Sequence, residues 1–357
     1  MAAASTMGLS PAFAHSTPST SAREPVRVAL MGGAHIHAPG FAETMAETDG
    51  IETKYVWDPD PEVAEERQEV TGGDIVDDYE TILEDEAVEG VVICSETYRH
   101  EELALATADA GKHLFIEKPV GMNGDEAERI KEAVREAGVV FQTGYFMRSD
   151  GAHQLIRQLI LEGTLGNITR LRLSNVHSGA IGDWFDPEWL WMTDLEQAGV
   201  GAFGDLGSHA VDLLLWFMDQ DEVVACTSQI DTAIEQYPDC DEYGEGMITF
   251  ASGAVATVAG GWVDHANPNT VEVSGTEGHA RITDGDLYLT SEELNADGTE
   301  PWTDVPDDWP HAFDLFLEAL LGTPEGKPLI TPEEAAHTNR VVTALYEAHE
   351  RGAWVEV

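Results

Sequence analysis

The chain has 357 residues, enough for two hydrophobic cores rather than one. Its 67 acidic residues against 18 basic ones give a net charge of -49, and a surface of that sign repels nucleic acid and anionic membrane, both of which require a basic footprint. The acids are interleaved with ordinary hydrophobic periodicity instead of gathering into blocks, so they describe a solvated shell on a folded protein, one whose self-repulsion molar salt would screen, as in a halophile's cytoplasm.

Three cysteines, Cys94, Cys226 and Cys240, lie far apart with no CxxC pair, which suggests neither a disulfide framework nor a zinc site and fits a reduced compartment. No run approaches the roughly 20 apolar residues of a membrane span. Residues 1–24 are rich in Ala, Ser, Thr and Pro and are expected to be a disordered extension. A true start at Met7 or a processed segment ending near Ala12 to Ala14 are the alternatives.

Residues 26–31 read as a strand, followed by a glycine turn and a helix over residues 38–48. Strand, glycine turn and helix form a phosphate-binding first turn, in which glycine allows the tight bend and the helix amino end faces an anion. Gly32 and Gly33 supply the glycines, and His35 and Ile36 are further candidate cofactor contacts. The second and third fingerprint positions hold Ala34 and His37, so the motif is degraded. If the segment is extended, alternation puts His35 and His37 on opposite sides with no third ligand nearby, so no metal is expected.

A second strand over residues 52–58 ends on Asp58, placed to accept hydrogen bonds from ribose hydroxyls or to cap the next helix. No arginine within residues 58–62 is available for a 2′-phosphate, so of NAD and NADP the former is favoured. A short strand and helix, residues 74–77 and 79–84, precede a buried strand at 90–94 that opens into Ser95, Thr97 and His100. A helix over 101–110 leads to the strand at 113–116, which ends abruptly on Glu117-Lys118-Pro119. The carboxyl ends of parallel strands form the ligand crevice, so this charged pair is delivered to a site. A helix at 125–137 and a strand at 139–143 complete an alternation that implies a doubly wound parallel sheet over residues 25–147.

The rhythm changes after Arg148. A helix at 152–162 and a long strand at 168–176 precede an aromatic loop containing Trp184, Trp189 and Trp191. β-rich segments from Val223 to about Leu289 signal a large, mostly antiparallel open sheet within a second α/β domain, residues 148–357, which closes with helices at 311–321 and 332–351. Between loop and sheet, Asp205, His209 and Asp212 stand at i, i+4 and i+7, on one face of an otherwise apolar helix. A histidine beside a carboxylate suits a general base, whereas an N-terminal helix partner with a satisfied core histidine is the bland alternative.

Taken together, the glycine turn, Asp58, Glu117-Lys118-Pro119 and Asp205-x-Gly207-x-His209 resemble the Gfo/Idh/MocA family of oxidoreductases, as does Ala108-Asp-Ala-Gly-Lys-His113. The resemblance covers about residues 26–357. It implies a Rossmann domain followed by an α/β domain whose open sheet is often buried in homodimers or homotetramers. It also implies hydride transfer between a nicotinamide cofactor and a sugar, polyol or inositol-like alcohol. Carried over, Lys118 polarises the reacting hydroxyl, His209 takes its proton, and Asp205 binds a substrate hydroxyl and orients or charge-assists that base. Glu117 positions Lys118 or the nicotinamide end, while Ser95, Thr97 and His100 line the cofactor. Arg148 takes either a structural or a substrate-side role, and Trp184 with its neighbours would stack on a sugar or simply pack. Two other readings keep the fold: a redox-neutral NAD-dependent glycosidase or lyase, and a cofactor-binding sensor, which would have no need of a proton relay.

Overall fold

The computed structural model describes residues 24–238, 240–266, 268–323 and 326–357. The expected disordered extension, apart from Glu24, lies outside the described residues.

The first domain alternates strands and helices as the periodicity predicts: β1 Val26–Met31, α1 Ala38–Glu47, β2 Ile51–Trp57, α2 Pro61–Thr71, β3 Asp74–Ile75 and α3 Glu80–Glu84. It continues with β4 Gly90–Ile93, α4 His100–Asp109, β5 His113–Ile116, α5 Gly124–Ala137 and β6 Phe141–Thr143. Local chemistry sets the helix ends. Asp60 accepts from the Glu62 amide at the start of α2, and Asn123 caps α5 in the same way. The six strands pair in parallel in the order β3-β2-β1-β4-β5-β6. The order reverses between β1 and β4, so a crevice opens at their carboxyl ends.

The second domain comprises α6 Gly151–Leu161, β7 Ile168–Val176, α7 Leu195–Ala198 and α8 Ala202–Phe217. The strands β8 Val223–Asp231, β9 Tyr243–Phe250, β10 Val255–Gly261, β11 Thr270–Gly275, β12 Gly278–Thr283, β13 Asp286–Ser291 and β14 Ala296–Asp297 follow. The chain closes with α9 Ala312–Leu321, α10 Pro332–Arg351 and β15 Val355–Glu356. Nine strands form one sheet in the order β14-β13-β12-β11-β7-β10-β9-β8-β15. All its neighbours are antiparallel except β7 and β10, which run parallel and so present their carboxyl ends together.

Helix α8 is buried along its whole length. It lies on the sheet because β10 offers Gly260 there. A Cβ at that position would meet the Phe203 carbonyl at 2.6 Å and the Gly207 amide at 2.7 Å, so no other residue permits this contact without displacing the helix. Helix α9 leaves the second sheet and returns to the first, where Phe313, Phe316 and Leu317 join Leu30, Val92 and Phe115 in one core. The opposite face of that sheet is covered by α3, α4 and α5, with Ile330, Ala335 and Ala336 from the carboxyl-terminal segment.

Candidate active site

Strand β5 delivers Glu117 and Lys118 to the crevice, and the ammonium of Lys118 crosses to the second domain. Its Nζ donates to Asp205 Oδ1 at 2.5 Å, and Trp262 Nε1 donates to Asp205 Oδ2 at 2.9 Å. Lys118 and Asp205 are both buried. Burial opposes charge on Lys118, but the Asp205 and Glu117 carboxylates outweigh it and hold its pKa above the usual lysine value. Burial likewise opposes charge on Asp205, yet Lys118 and Trp262 hold its carboxyl far below the usual range. The site therefore carries a fixed cation on a fixed anion.

His209 sits one turn along α8. Burial, reinforced by the Lys118 cation, depresses its pKa to about 3, so the ring is neutral at ordinary pH. Its Nδ1 is buried without a hydrogen-bond partner. Asp205 is four residues into a helix capped by Gly201, and its oxygens are taken by Lys118 and Trp262. Its help to His209 is thus through charge alone. Phe146 and Tyr145 pack edge-on against the imidazole, with ring centroids 5.0 Å and 5.7 Å away. A neutral imidazole whose buried nitrogen has no hydrogen-bond partner, beside an ammonium, is free to accept a proton from a hydroxyl that the ammonium polarises.

On the Rossmann side, Gly32 has φ +84 and its Cα faces Ser95 so closely that a Cβ would lie 2.4 Å from the Ser95 Cβ. Asp58 ties the turn together, accepting from the Gly33 amide at 2.7 Å and the Asp60 amide at 2.8 Å. Burial pushes its pKa up to about 6 despite those bonds. Thr97, His35 and Lys118 line a cavity of about 20 Å³ with Trp191 and Asp205, while Ile36 packs on the aromatic cluster of the second domain around Phe185 and Trp262. His100 lies between the carbonyls of Pro119 (2.9 Å) and Ser95 (3.3 Å), and burial lowers its pKa to about 4, so the neutral ring donates to one of the two.

The extended geometry expected for His35 and His37 is not what forms. The chain turns after Gly32, the His37 amide donates to His35 Nδ1 at 3.2 Å, and His37 Nδ1 pairs with Glu117 Oε1 at 2.8 Å. The two imidazoles and Glu117 consequently converge, with donor atoms within 4.8 Å of one another. Burial works against charge on Glu117, but the two imidazoles and Lys118 keep its pKa well below the ordinary value.

Other candidates lie apart. Arg148 forms a bidentate clamp on Asp212 (2.6 and 2.9 Å) and reaches Glu334 at 2.8 Å, so it joins α8 to α10, and Asp212 belongs to this clamp rather than to the Lys118 cluster. Trp184 is half-exposed and lies against His177, ring centroids 4.7 Å apart. Of the aromatic loop, Trp191 reaches the first turn, donating to the Ala34 carbonyl at 2.9 Å. Trp262, which donates to Asp205, and His177, near enough to Asp205 and Lys118 to feel both charges, are further site residues that the sequence reading does not name. Each is the first residue beyond β7 or β10, and the strand-end logic that found Lys118 would have flagged both once those strands were known to be parallel. Beyond Phe146 a cavity of about 880 Å³ opens, lined among others by Ser174, Asn269, Asp308, Trp309 and His311.

Known proteins share the fold of this chain. Residues 26–145 match the NAD-binding Rossmann fold of the oxidoreductase family, and residues 153–281 match the GFO/IDH/MocA C-terminal domain. The chain belongs to the Gfo/Idh/MocA family. Within it, the chain is 29% identical over 253 residues to levoglucosan dehydrogenase of Pseudarthrobacter phenanthrenivorans, a match spanning 63% of each chain and so under two thirds of that enzyme's length. It is 27% identical to 1,5-anhydro-D-fructose reductase of Ensifer adhaerens over 80% of this chain and 84% of that one. A solved structure of levoglucosan dehydrogenase in complex with NADH superposes with a TM-score of 0.77 at 25% identity, covering 93% of this chain and 99% of that one. Among the described residues no helix is long and apolar enough to cross a membrane.

Proposed function

We propose that this Gfo/Idh/MocA protein is a dehydrogenase or reductase that moves a hydride between a sugar, polyol or inositol-like alcohol and NAD. The observation that carries this reading is the neutral His209, whose buried Nδ1 lacks a partner beside the Lys118–Asp205 ion pair. The first turn, the α1 amino end and Asp58 fit a dinucleotide, since strand, glycine turn and helix amino end form an anion site and Asp58 is already oriented by two amides. When bound, NAD supplies the hydride acceptor or donor.

The chain's own residues do the proton chemistry. Lys118 donates to the reacting oxygen and stabilises the alkoxide character that grows as the hydride leaves, an electrostatic contribution strengthened by burial. His209 Nδ1 takes the hydroxyl proton and returns it in the reverse direction. Asp205 holds Lys118 in place, and Glu117 anchors the same loop by accepting from the Lys118 amide at 2.6 Å. The cavity beyond Phe146 gives the rest of the alcohol aromatic faces and hydroxyl acceptors, the usual lining of a carbohydrate site.

The same reading places the protein in a reducing, salt-rich cytoplasm as a homodimer or homotetramer. Three buried free cysteines and the acidic shell support the first part. Tyr243, Met247 and Val224, exposed on β9 and β8, support the second by giving the outer face of the nine-stranded sheet apolar contact area.

The test is absorbance of reduced nicotinamide in molar KCl, with NAD and NADP against aldoses, polyols, inositols and glycosides. Turnover with an alcohol is expected, and Lys118→Ala and His209→Ala should each lower kcat by about 10²- to 10⁴-fold while cofactor affinity changes little. Unchanged kcat in either variant removes the role given to that residue. Release of a leaving group with no net NADH would replace the dehydrogenase with the redox-neutral alternative.

A further inference from the structure

The first turn departs from the glycine pattern at Ala34 and His37, and the molecule around it is strongly anionic, so a dinucleotide carrying two phosphate charges enters an unfavourable field. One cation lies across that turn. Arg67 extends from α2 over Gly33, where a Cβ would lie 2.6 Å from the Arg67 Cγ and 3.3 Å from its Cδ. Its side chain is 12% exposed, and its Nε is buried without a hydrogen-bond partner. The ion pair it makes is with Glu66, its sequence neighbour, whose side chain is 67% exposed, a pairing worth little in water. The head lies near enough to the end of β4 for its charge to favour ionisation of Cys94, against the burial that dominates there. Arg67 thus spans from the β2–α2 side to the β1–β4 switch point, over the backbone that would approach a pyrophosphate.

Building on the NAD reading above, we propose that Arg67 is the side-chain cation of the dinucleotide site, donating from its guanidinium to the pyrophosphate. Gly33 is required because the arginine stem fills the space a Cβ would take. The amides of the turn and the α1 amino end supply the remaining donors. The arginine compensates for the degraded glycine pattern, since a charge-assisted bond is stronger than the neutral amide contacts it supplements.

Calorimetric titration of NAD, ADP and adenosine into the full chain at fixed ionic strength tests the assignment. Arg67→Met keeps the stem over Gly33 and removes the charge, so it is expected to melt as the wild type does while binding NAD and ADP about 10- to 100-fold more weakly, the loss of one hydrogen bond to a charged group. Adenosine affinity should stay within about twofold, and Arg67→Lys should recover part of the loss. Equal weakening of adenosine, or unchanged NAD and ADP affinity, would each overturn the proposal. If ADP binding depends on Arg67 but no alcohol reduces NAD, the arginine assignment stands and the dehydrogenase reading falls. Absence of binding by every nucleotide overturns both.

Discussion

Asp58 is the residue whose environment makes the clearest claim on pH. Burial pushes its pKa from 3.8 to about 6, so the native state keeps a proton that the unfolded chain has already lost. Its contribution to stability therefore falls as pH rises through that window. Ribose hydroxyls need the ionised acceptor, so NAD affinity is expected to tighten from pH 5 to 7 with a midpoint about 6, and Asp58→Asn should bind more weakly and lose that inflection. A wild-type dissociation constant flat across the range would show that Asp58 does not receive the ribose. At this scale Lys118, Asp205 and Asp58 were legible because each is a charge in an apolar context, at a strand end or on a buried helix face. His177 and Trp262 carry no such contrast in sequence. They become site residues because β7 and β10 lie side by side in parallel, a pairing made across about 85 residues of chain.

Most elements were legible from period and punctuation. Helix α10 shows why: Thr331 and Glu334 form a reciprocal capping box, Pro332 occupies the first helical position, and Gly352 ends the helix in the left-handed region. The i, i+4, i+7 spacing of Asp205, His209 and Asp212 puts the three on one helix face, but their partners divide. Asp205 faces Lys118, whereas Asp212 is held by Arg148 and that arginine also reaches Glu334 on α10. Spacing along a helix gives a shared face; what stands opposite each turn is supplied by other elements. Because Asp212 is fully buried, Arg148→Ala should leave an uncompensated charge and cost about 3–5 kcal/mol in denaturant unfolding. A second substitution, Asp212→Leu, should return much of that loss when combined with Arg148→Met. Loss of less than about 1 kcal/mol in the single variant would show that water reaches the pair.

For the whole molecule the net charge of -49 dominates. Self-repulsion of that size acts over the Debye length, about 10 Å at 0.1 M salt and about 3 Å at 1 M. The melting temperature is expected to climb steeply between dilute buffer and molar KCl, and sedimentation along the same titration should show association through the open sheet once repulsion is screened. A melting temperature indifferent to salt would remove the halophilic reading. Charge, the strand and helix alternation, the first turn and Lys118 at a strand end were all determined by sequence alone, because each depends on residue type and on contacts a few positions apart. Tertiary structure alone decided that α9 covers the first sheet, that the tip of Asp205 meets Lys118, that His35 and His37 converge on Glu117, and that Arg67 lies over Gly33. In each case the partners are brought together by packing of apolar faces, and their positions in the chain carry no record of which faces will meet.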